Sequence, residues 1–172
     1  MIEIETPFLA EAARSLRAGE RVAISGVVYT ARDAAHARLL ALLDSNQPLP
    51  FPLTDSIIYY VGPCPPPPGQ IIGSAGPTTS SRMDRYTPRL LQLGLRCMIG
   101  KGPRSAPVVA ALAQYGAVYF GAIGGAGALL ASTIRSQRVI AFADLGTEAV
   151  RELVLDHFPA RVLADAQGNT FP

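Results

Sequence analysis

The chain has 172 residues and a mass of 18.1 kDa, the size of one domain with a substantial core. Apolar residues make up 49% and charged residues only 16%, with mean hydropathy +0.25, which excludes intrinsic disorder and leaves surface for a partner subunit to cover. A net charge of +2 is too small for nucleic acid as the main ligand, and two cysteines, Cys64 and Cys97, make neither a disulfide framework nor, alone, a zinc or iron–sulfur site.

The opening MIEIETPFLAEAARSLRAGE is mixed and acidic early, without a signal-peptide core, so a cytoplasmic protein is expected. After Pro7 a helix is predicted from about Leu9 to Leu16. Arg21 to Tyr29, RVAISGVVY, reads as a strand rich in β-branched residues, and Thr30 is placed to cap the helix that follows. That helix, ARDAAHARLLALLD, carries apolar positions at Ala35, Leu39, Leu42 and Leu43. SIIYYVG, Ser56 to Gly62, is almost wholly apolar and so predicts a central strand. The proline run PCPPPPG, Pro63 to Gly69, lacks the basic flank of an SH3 ligand and reads as a stiff connector between two strands. QIIGSAG is the next short strand or strand end, and GPTTSSRMDRY is a polar turn entering a helix that continues to Gly94. RCMIG is a strand, SAPVVAALAQYG a helix closed by Gly116, AVYFGAI a strand, and GGAGALLASTI a turn and helix. RVIAFADLG is another strand, and the tail VLDHFPARVLADAQGN reads as one or two more, ending in a turn.

This alternation is α/β, and the short elements and frequent prolines favour a mixed sheet over a doubly wound parallel one. The uncharged stretch from Ser105 to Ile134 is the best membrane candidate, but Gln114, Tyr115 and five glycines interrupt it. It fits helix, strand, turn and helix within a core, with the GxxxG at Gly121 and Gly125 a backbone-packing feature.

Three polar turns carry the candidate chemistry: YTARD (Tyr29 to Asp33), GSAGPTTSSR (Gly73 to Arg82) and GKG (Gly100 to Gly102). Each is read as following a strand, where ligands of α/β proteins collect, and helix N-termini there suit anions. Each supplies one cation: Arg32, Arg82 and Lys101. Lys101 is the sole lysine beside fourteen arginines, and its glycine flanks suggest room for an ammonium only. Two guanidinium forks and an ammonium match a small di- or tricarboxylate, with hydroxyls of Thr78, Thr79, Ser80 and Ser81 adding hydrogen bonds. The competing reading is that Arg32 and Arg82 merely pair with Asp33 or Asp84 at the surface. GLRCMIGKG has the wrong spacing for a phosphate loop, and GAIGGAG does not match the dinucleotide fingerprint. His36 reads as a helix-face residue bonded to a neighbour, Cys97 as core, and Cys64 as exposed with no activating neighbour.

At SGVVYTARDAAHARL, IIYYVGP, IIGSAGPTTSSRMDRYTPRLLQLGL, MIGKG, AVYFGAIGGAGALLA and FADLGTEAV the chain resembles the C-terminal domain of class I fumarases. In two-subunit members this region is a separate β subunit, and the tartrate dehydratase β subunit is similar. The resemblance runs from about Leu16 to Ala164 and implies one fumarase C-terminal domain over residues 1–172. It implies a swivelling β/β/α fold with a mixed central sheet, and reversible hydration of fumarate. It also implies an oxygen-sensitive [4Fe–4S] cluster held by three cysteines of an α part, with no metal ligand on this chain. Position by position, Arg32 matches an arginine that binds a substrate carboxylate, Arg82 a second substrate arginine, Lys101 an active-site lysine, and Thr78 the proposed catalytic base. The proline run is richer than the family pattern. The expected partners are a cysteine-containing α subunit and a dicarboxylate, with neither nucleic acid nor membrane, in a hetero-oligomer that could include β–β contacts. Tartrate and mesaconate stay open as substrates, as does a non-catalytic dicarboxylate-binding module or a scaffold subunit with structural cations.

Overall fold

The computed structural model describes residues 1–123 and 126–172. Strand β1 (Ile2–Glu5) leads through helix α1 (Ala10–Ser15) to β2 (Arg21–Thr30), on which it lies parallel, with Ile2 opposite Val22. Helix α2 (Asp33–Asp44) follows, then β3 (Ile57–Tyr59), helix α3 (Thr87–Gln92) and β4 (Cys97–Gly100). Helix α4 (Ala106–Tyr115) precedes β5 (Val118–Ala122), and α5 (Gly127–Ala131) precedes β6 (Ile134–Ala141) and β7 (Val150–Ala164). Strands β2 to β5 are parallel in chain order, while β6 and β7 are antiparallel. The long β7 pairs with β6, with β5 and with β2. Strands β2, β3, β4, β5 and β7 therefore close into a ring, with β1 and β6 attached outside it. The expected α/β fold with a mixed central sheet is what the chain adopts.

Alternation along each strand builds two cores. Ile57, Tyr59, Cys97, Ile99, Val118 and Phe120 face one way, with Leu153, Leu155, Phe158, Ala160 and Val162 of β7. Ile58, Tyr60, Met98 and Tyr119 face the other, beneath Leu39 of α2, Leu90 and Leu91 of α3, and Val108 and Leu112 of α4. Both faces of β3 are buried, which is why SIIYYVG shows no polar alternation.

His36 of α2 is fully buried against the rings of Tyr60 and Tyr86. Its Nδ1 lies 2.8 Å from the Arg32 carbonyl, which can only accept, so Nδ1 carries the proton. Protonation would add a second donor at Nε2, an atom buried without a partner among the described residues. Burial accordingly pushes the His36 pKa down to about 4. The unfolded chain binds more protons between its ordinary value of 6.5 and about 4, so stability falls as pH drops through that window. The loss should reach about 3 kcal/mol below pH 4. Denaturant midpoints at pH 7 and 4.5 measure it, and His36→Leu should flatten this part of the slope.

Several local expectations are corrected. Thr30 does not cap α2: it is buried, with its hydroxyl 3.3 Å from the Ala149 carbonyl and accepting the Arg151 amide at 3.0 Å, so Arg32 takes the cap position. QIIGSAG is not a strand. The proline run doubles back on it, with the Cys64 amide bonded to Ser74 at 2.9 Å and the Gly73 amide to Cys64 at 3.1 Å. A turn from Pro67 to Gln70 closes this tongue, so the run does not connect two strands. The helix expected through Gly94 is split into a 3₁₀ turn, Ser80–Met83, and α3 ending at Gln92. Strand β6 starts earlier than RVIAFADLG and stops at Ala141, ADLG lying in a second 3₁₀ segment, Ala143–Glu148. The tail is one strand, β7, and β1 lies where no strand was expected. Gly116 closes α4 in the left-handed region, with φ 68°, as expected. Gly124 and Gly125, the turn before α5 and half of the GxxxG pair, lie outside the described residues. Among the described residues no helix is long and apolar enough to cross a membrane.

Candidate active site

The carboxyl ends of β2 and β4, with the chain that leaves β3, bring the three turns to one end of the ring. Arg32 begins α2, whose first turn is served by Asp33 and by Glu148, whose Oε1 accepts the Ala34 amide at 3.3 Å. The Arg32 side chain runs across Gly62, just beyond β3. A Cβ there would stand 3.3 Å from Arg32 Cδ and 3.1 Å from the Thr147 carbonyl, so the bare backbone is what admits the guanidinium. Thr78 is half-buried and tethered to the same strand end, its amide donating to the Tyr60 carbonyl at 2.8 Å. Arg82 leaves the 3₁₀ turn and donates from Nε to Asp33 Oδ2 at 2.8 Å. Asp33 Oδ1 lies 3.8 Å from Arg32 Nε, so one carboxylate draws both arginines together. The TTSSR turn reaches this place from the tongue rather than directly from a strand.

Lys101 follows β4 and is pinned by its backbone. Its carbonyl accepts the Ser80 amide at 2.9 Å, and its own amide donates to Ser80 Oγ at 3.1 Å, in a parallel bridge between Thr79 and Lys101. Ser80 is thus a buried buttress between the two turns, not a ligand hydroxyl as the sequence suggested. Tyr119 OH lies 2.7 Å from both Ser80 Oγ and the Gly102 carbonyl. The carbonyl can only accept, so Tyr119 donates to it and the Ser80 hydroxyl donates to Tyr119. A Cβ at Gly100 would fall into the Ser80 hydroxyl and 2.9 Å from the Tyr60 ring, so glycine is required there.

Below this layer lies Arg104, its side chain without solvent exposure. It donates to Asp84 at 2.7 Å and to Thr87 at 2.8 Å, and its guanidinium carbon is 5.2 and 4.9 Å from the Tyr60 and Tyr119 ring centres. Asp84 also accepts the Ser105 amide at 2.9 Å. Burial works against the Arg104 charge, but Tyr60 and the Asp84 carboxylate more than offset it and hold its pKa above the ordinary value. Sequence reasoning missed Arg104, Tyr119 and Gly62. Gly100 before the sole lysine was the one available signal of a close approach.

Among the described residues, Arg32 and Lys101 make no side-chain hydrogen bond, and Arg82 uses only Nε. Elsewhere Arg38, Arg89, Arg96, Arg104, Arg135 and Arg138 each meet a carboxylate. Beside Lys101 a cavity of about 430 Å³ is lined by Gly62, Pro77, Ala122 and Leu130, with Cys64 and Ser74 at its wall. Unused cationic donors around such a space can hold small carboxylates. Thr78 adjoins it through Pro77, and Arg32 through Gly62.

The chain's own residues do not fit an iron–sulfur cluster. Cys97 is buried in the ring, where burial pushes its thiol pKa well up, and Cys64 is exposed on the tongue. Among the described residues no three His, Cys, Asp or Glu side chains are grouped to hold a metal ion.

Comparison with known proteins accords with this arrangement. The family described as the fumarase C-terminus matches residues 1–172. The chain is 40% identical over 153 residues to the aerobic class I fumarate hydratase of Escherichia coli, covering 88% of this chain and 28% of that protein. It is 42% identical over 154 residues to fumarate hydratase 2 of Leishmania major, covering 88% of this chain and 27% of that protein. The chain therefore spans little more than a quarter of the length of these relatives. With the putative L(+)-tartrate dehydratase subunit beta of Methanocaldococcus jannaschii it shares 38% identity over 163 residues, 91% of this chain and 84% of that one. The chain belongs to the fumarase C-terminal family, whose relatives here are class I fumarate hydratases and a tartrate dehydratase β subunit.

Proposed function

We propose that the chain is the β subunit of a two-subunit iron–sulfur hydro-lyase that reversibly hydrates fumarate to malate, its 172 residues acting as one domain. The observation that carries this reading is the set of unused donors on Arg32, Arg82 and Lys101, brought to one end of the ring with a cavity beside Lys101 and Gly62. The [4Fe–4S] cluster belongs to a cysteine-containing α subunit, because neither cysteine of this chain is placed to hold it. The low charged fraction supports an obligate interface with that subunit.

In the dehydration direction Arg32, Arg82 and Lys101 hold the two carboxylates of malate. As the proton leaves C3, negative charge grows on the adjacent carboxylate, and the same cations stabilise it in place. Thr78, half-buried beside them, takes that proton; the electron pair left on C3 forms the double bond as the C2–O bond breaks, and the hydroxide leaves as water once protonated. A threonine hydroxyl is a weak base, so the surrounding positive charge and a group of the α subunit must assist it. Thr78→Ala should lower kcat of the assembled enzyme by about a hundredfold with KM little changed. Steady-state kinetics with fumarate and malate measures this, and equal turnover removes Thr78 from the chemistry.

A tartrate dehydratase reading is favoured by one observation, the 84% coverage of the relative of that name, and mesaconate differs from fumarate only by a methyl. Anaerobic purification of the chain from its native extract tests both levels. Co-purification with a larger iron-containing subunit and turnover of fumarate, L-tartrate or mesaconate supports the proposal and names the substrate. A lone chain that binds succinate without iron favours a carboxylate-binding module instead.

A further inference from the structure

We infer that Asp33 is a positioning residue that sets the two site arginines at a fixed spacing and matches the charge of the site to a dianion. The inference rests on the hydro-lyase reading of that site. Asp33 Oδ2 accepts a hydrogen bond from Arg82 Nε at 2.8 Å, and Oδ1 faces Arg32 Nε at 3.8 Å. Arg32 Nε and Asp33 Oδ1 are buried and have no other partner among the described residues. A guanidinium offers a carboxylate two edges, one through Nε and one between the two terminal nitrogens. Asp33 lies on the Nε side of both arginines, so both terminal edges remain for the substrate.

The charge count follows. Arg32, Arg82 and Lys101 bring three positive charges, and Asp33 removes one, leaving two. The other charges close by cancel in pairs: Asp84 is bonded by Arg104, and Glu148, which accepts the Ala34 amide, is matched by Arg151, whose guanidinium donates to the Thr147 and Gly146 carbonyls of the same segment. The remainder is equal and opposite to a dicarboxylate and one short of a tricarboxylate. Discrimination against a third carboxylate thus comes from an anion of the protein, in addition to the size of the cavity.

The test uses the chain assembled with its α subunit. Asp33→Asn keeps the shape and removes the charge; Asp33→Ser does so with a smaller residue that also suits the start of a helix; Asp33→Glu keeps the charge and moves it. Calorimetry reads the affinities of succinate and of propane-1,2,3-tricarboxylate. Asp33→Asn and Asp33→Ser should shift the ratio of the two by about tenfold toward the tricarboxylate, the effect of one lost charge near the site. Asp33→Glu should keep the ratio and lower kcat for fumarate by about tenfold through displaced arginines. A helix-stabilising role alone would change thermal stability and leave the ratio unmoved. An unchanged ratio in both neutral variants overturns the inference and leaves the hydro-lyase reading standing. A wild-type assembly with no turnover of fumarate, tartrate or mesaconate overturns the hydro-lyase reading, while the binding ratio still decides the role of Asp33.

Discussion

Lys101→Arg should reduce kcat of the proposed hydro-lyase by about a hundredfold, although the positive charge is retained. The backbone of Lys101 cannot retreat to make room. Its amide and carbonyl are both held by Ser80, and Gly100 beside it is packed against the Ser80 hydroxyl and the Tyr60 ring. A longer, planar guanidinium on this fixed stem carries its charge past the place of the ammonium. A displacement of about 1 Å from productive geometry is enough for an effect of this size. Lys101→Ala, which removes the charge, should cost roughly as much or more, in the range of about 100- to 1000-fold. The measurement is kcat and KM for fumarate with both variants. Kinetics unchanged in Lys101→Arg would remove the steric argument, and kinetics unchanged in both would make the cation merely structural.

Arg104→Leu should be the most destabilising single change near the site, by about 3–5 kcal/mol. Asp84 is left nearly buried with the Ser105 amide as its remaining partner, and Thr87 loses a donor. The gap between the Tyr60 and Tyr119 rings loses its cation. Adding Asp84→Asn should recover part of the loss, because the worst residue of the single variant is an unpaired charge. Denaturant titrations of the two variants and the parent give the comparison. A drop under about 1 kcal/mol would place Arg104 among ordinary surface pairs.

The parts of this site that the sequence made legible are those whose signals are local. Arg32 and Lys101 stand immediately beyond β-branched or apolar strands, and a charge at a strand end needs no tertiary knowledge to be noticed. Strands β2 to β5 and helix α4 were visible for the same reason. The buttress was not visible. Ser80 looks like one more hydroxyl in a polar turn until Tyr119, 39 residues later, is folded against it. Arg104 looks like one arginine of fourteen until Tyr60 and Tyr119 enclose it. Nor was β1 visible, since only Ile4 of its four residues is buried and a strand with one inward side chain leaves little pattern. QIIGSAG carries strand propensity, yet the proline tongue occupies its hydrogen-bonding groups. The tail was ambiguous because β7 holds Pro159 and a left-handed residue, His157 with φ 56°, and still runs through both without ending. The pairing reading of the two arginines was also part of the truth: Arg82 does bond Asp33, and keeps a free edge.

The ring closed by β7 has a kinetic consequence. Thr30 and Arg151, which meet where β2 passes β7, are 121 residues apart in the chain. Parallel pairs β2 to β5 can form from neighbouring segments, but the circle is shut only when the last long strand arrives. Contacts so distant in sequence come at a high loop-closure cost and slow folding toward the millisecond-to-second range. Until then one edge of β2 and one of β5 lie open, each a template for the strand of another molecule. Among the strands of the ring β7 is made last, so the newly made chain depends on that strand to stop it pairing with its neighbours.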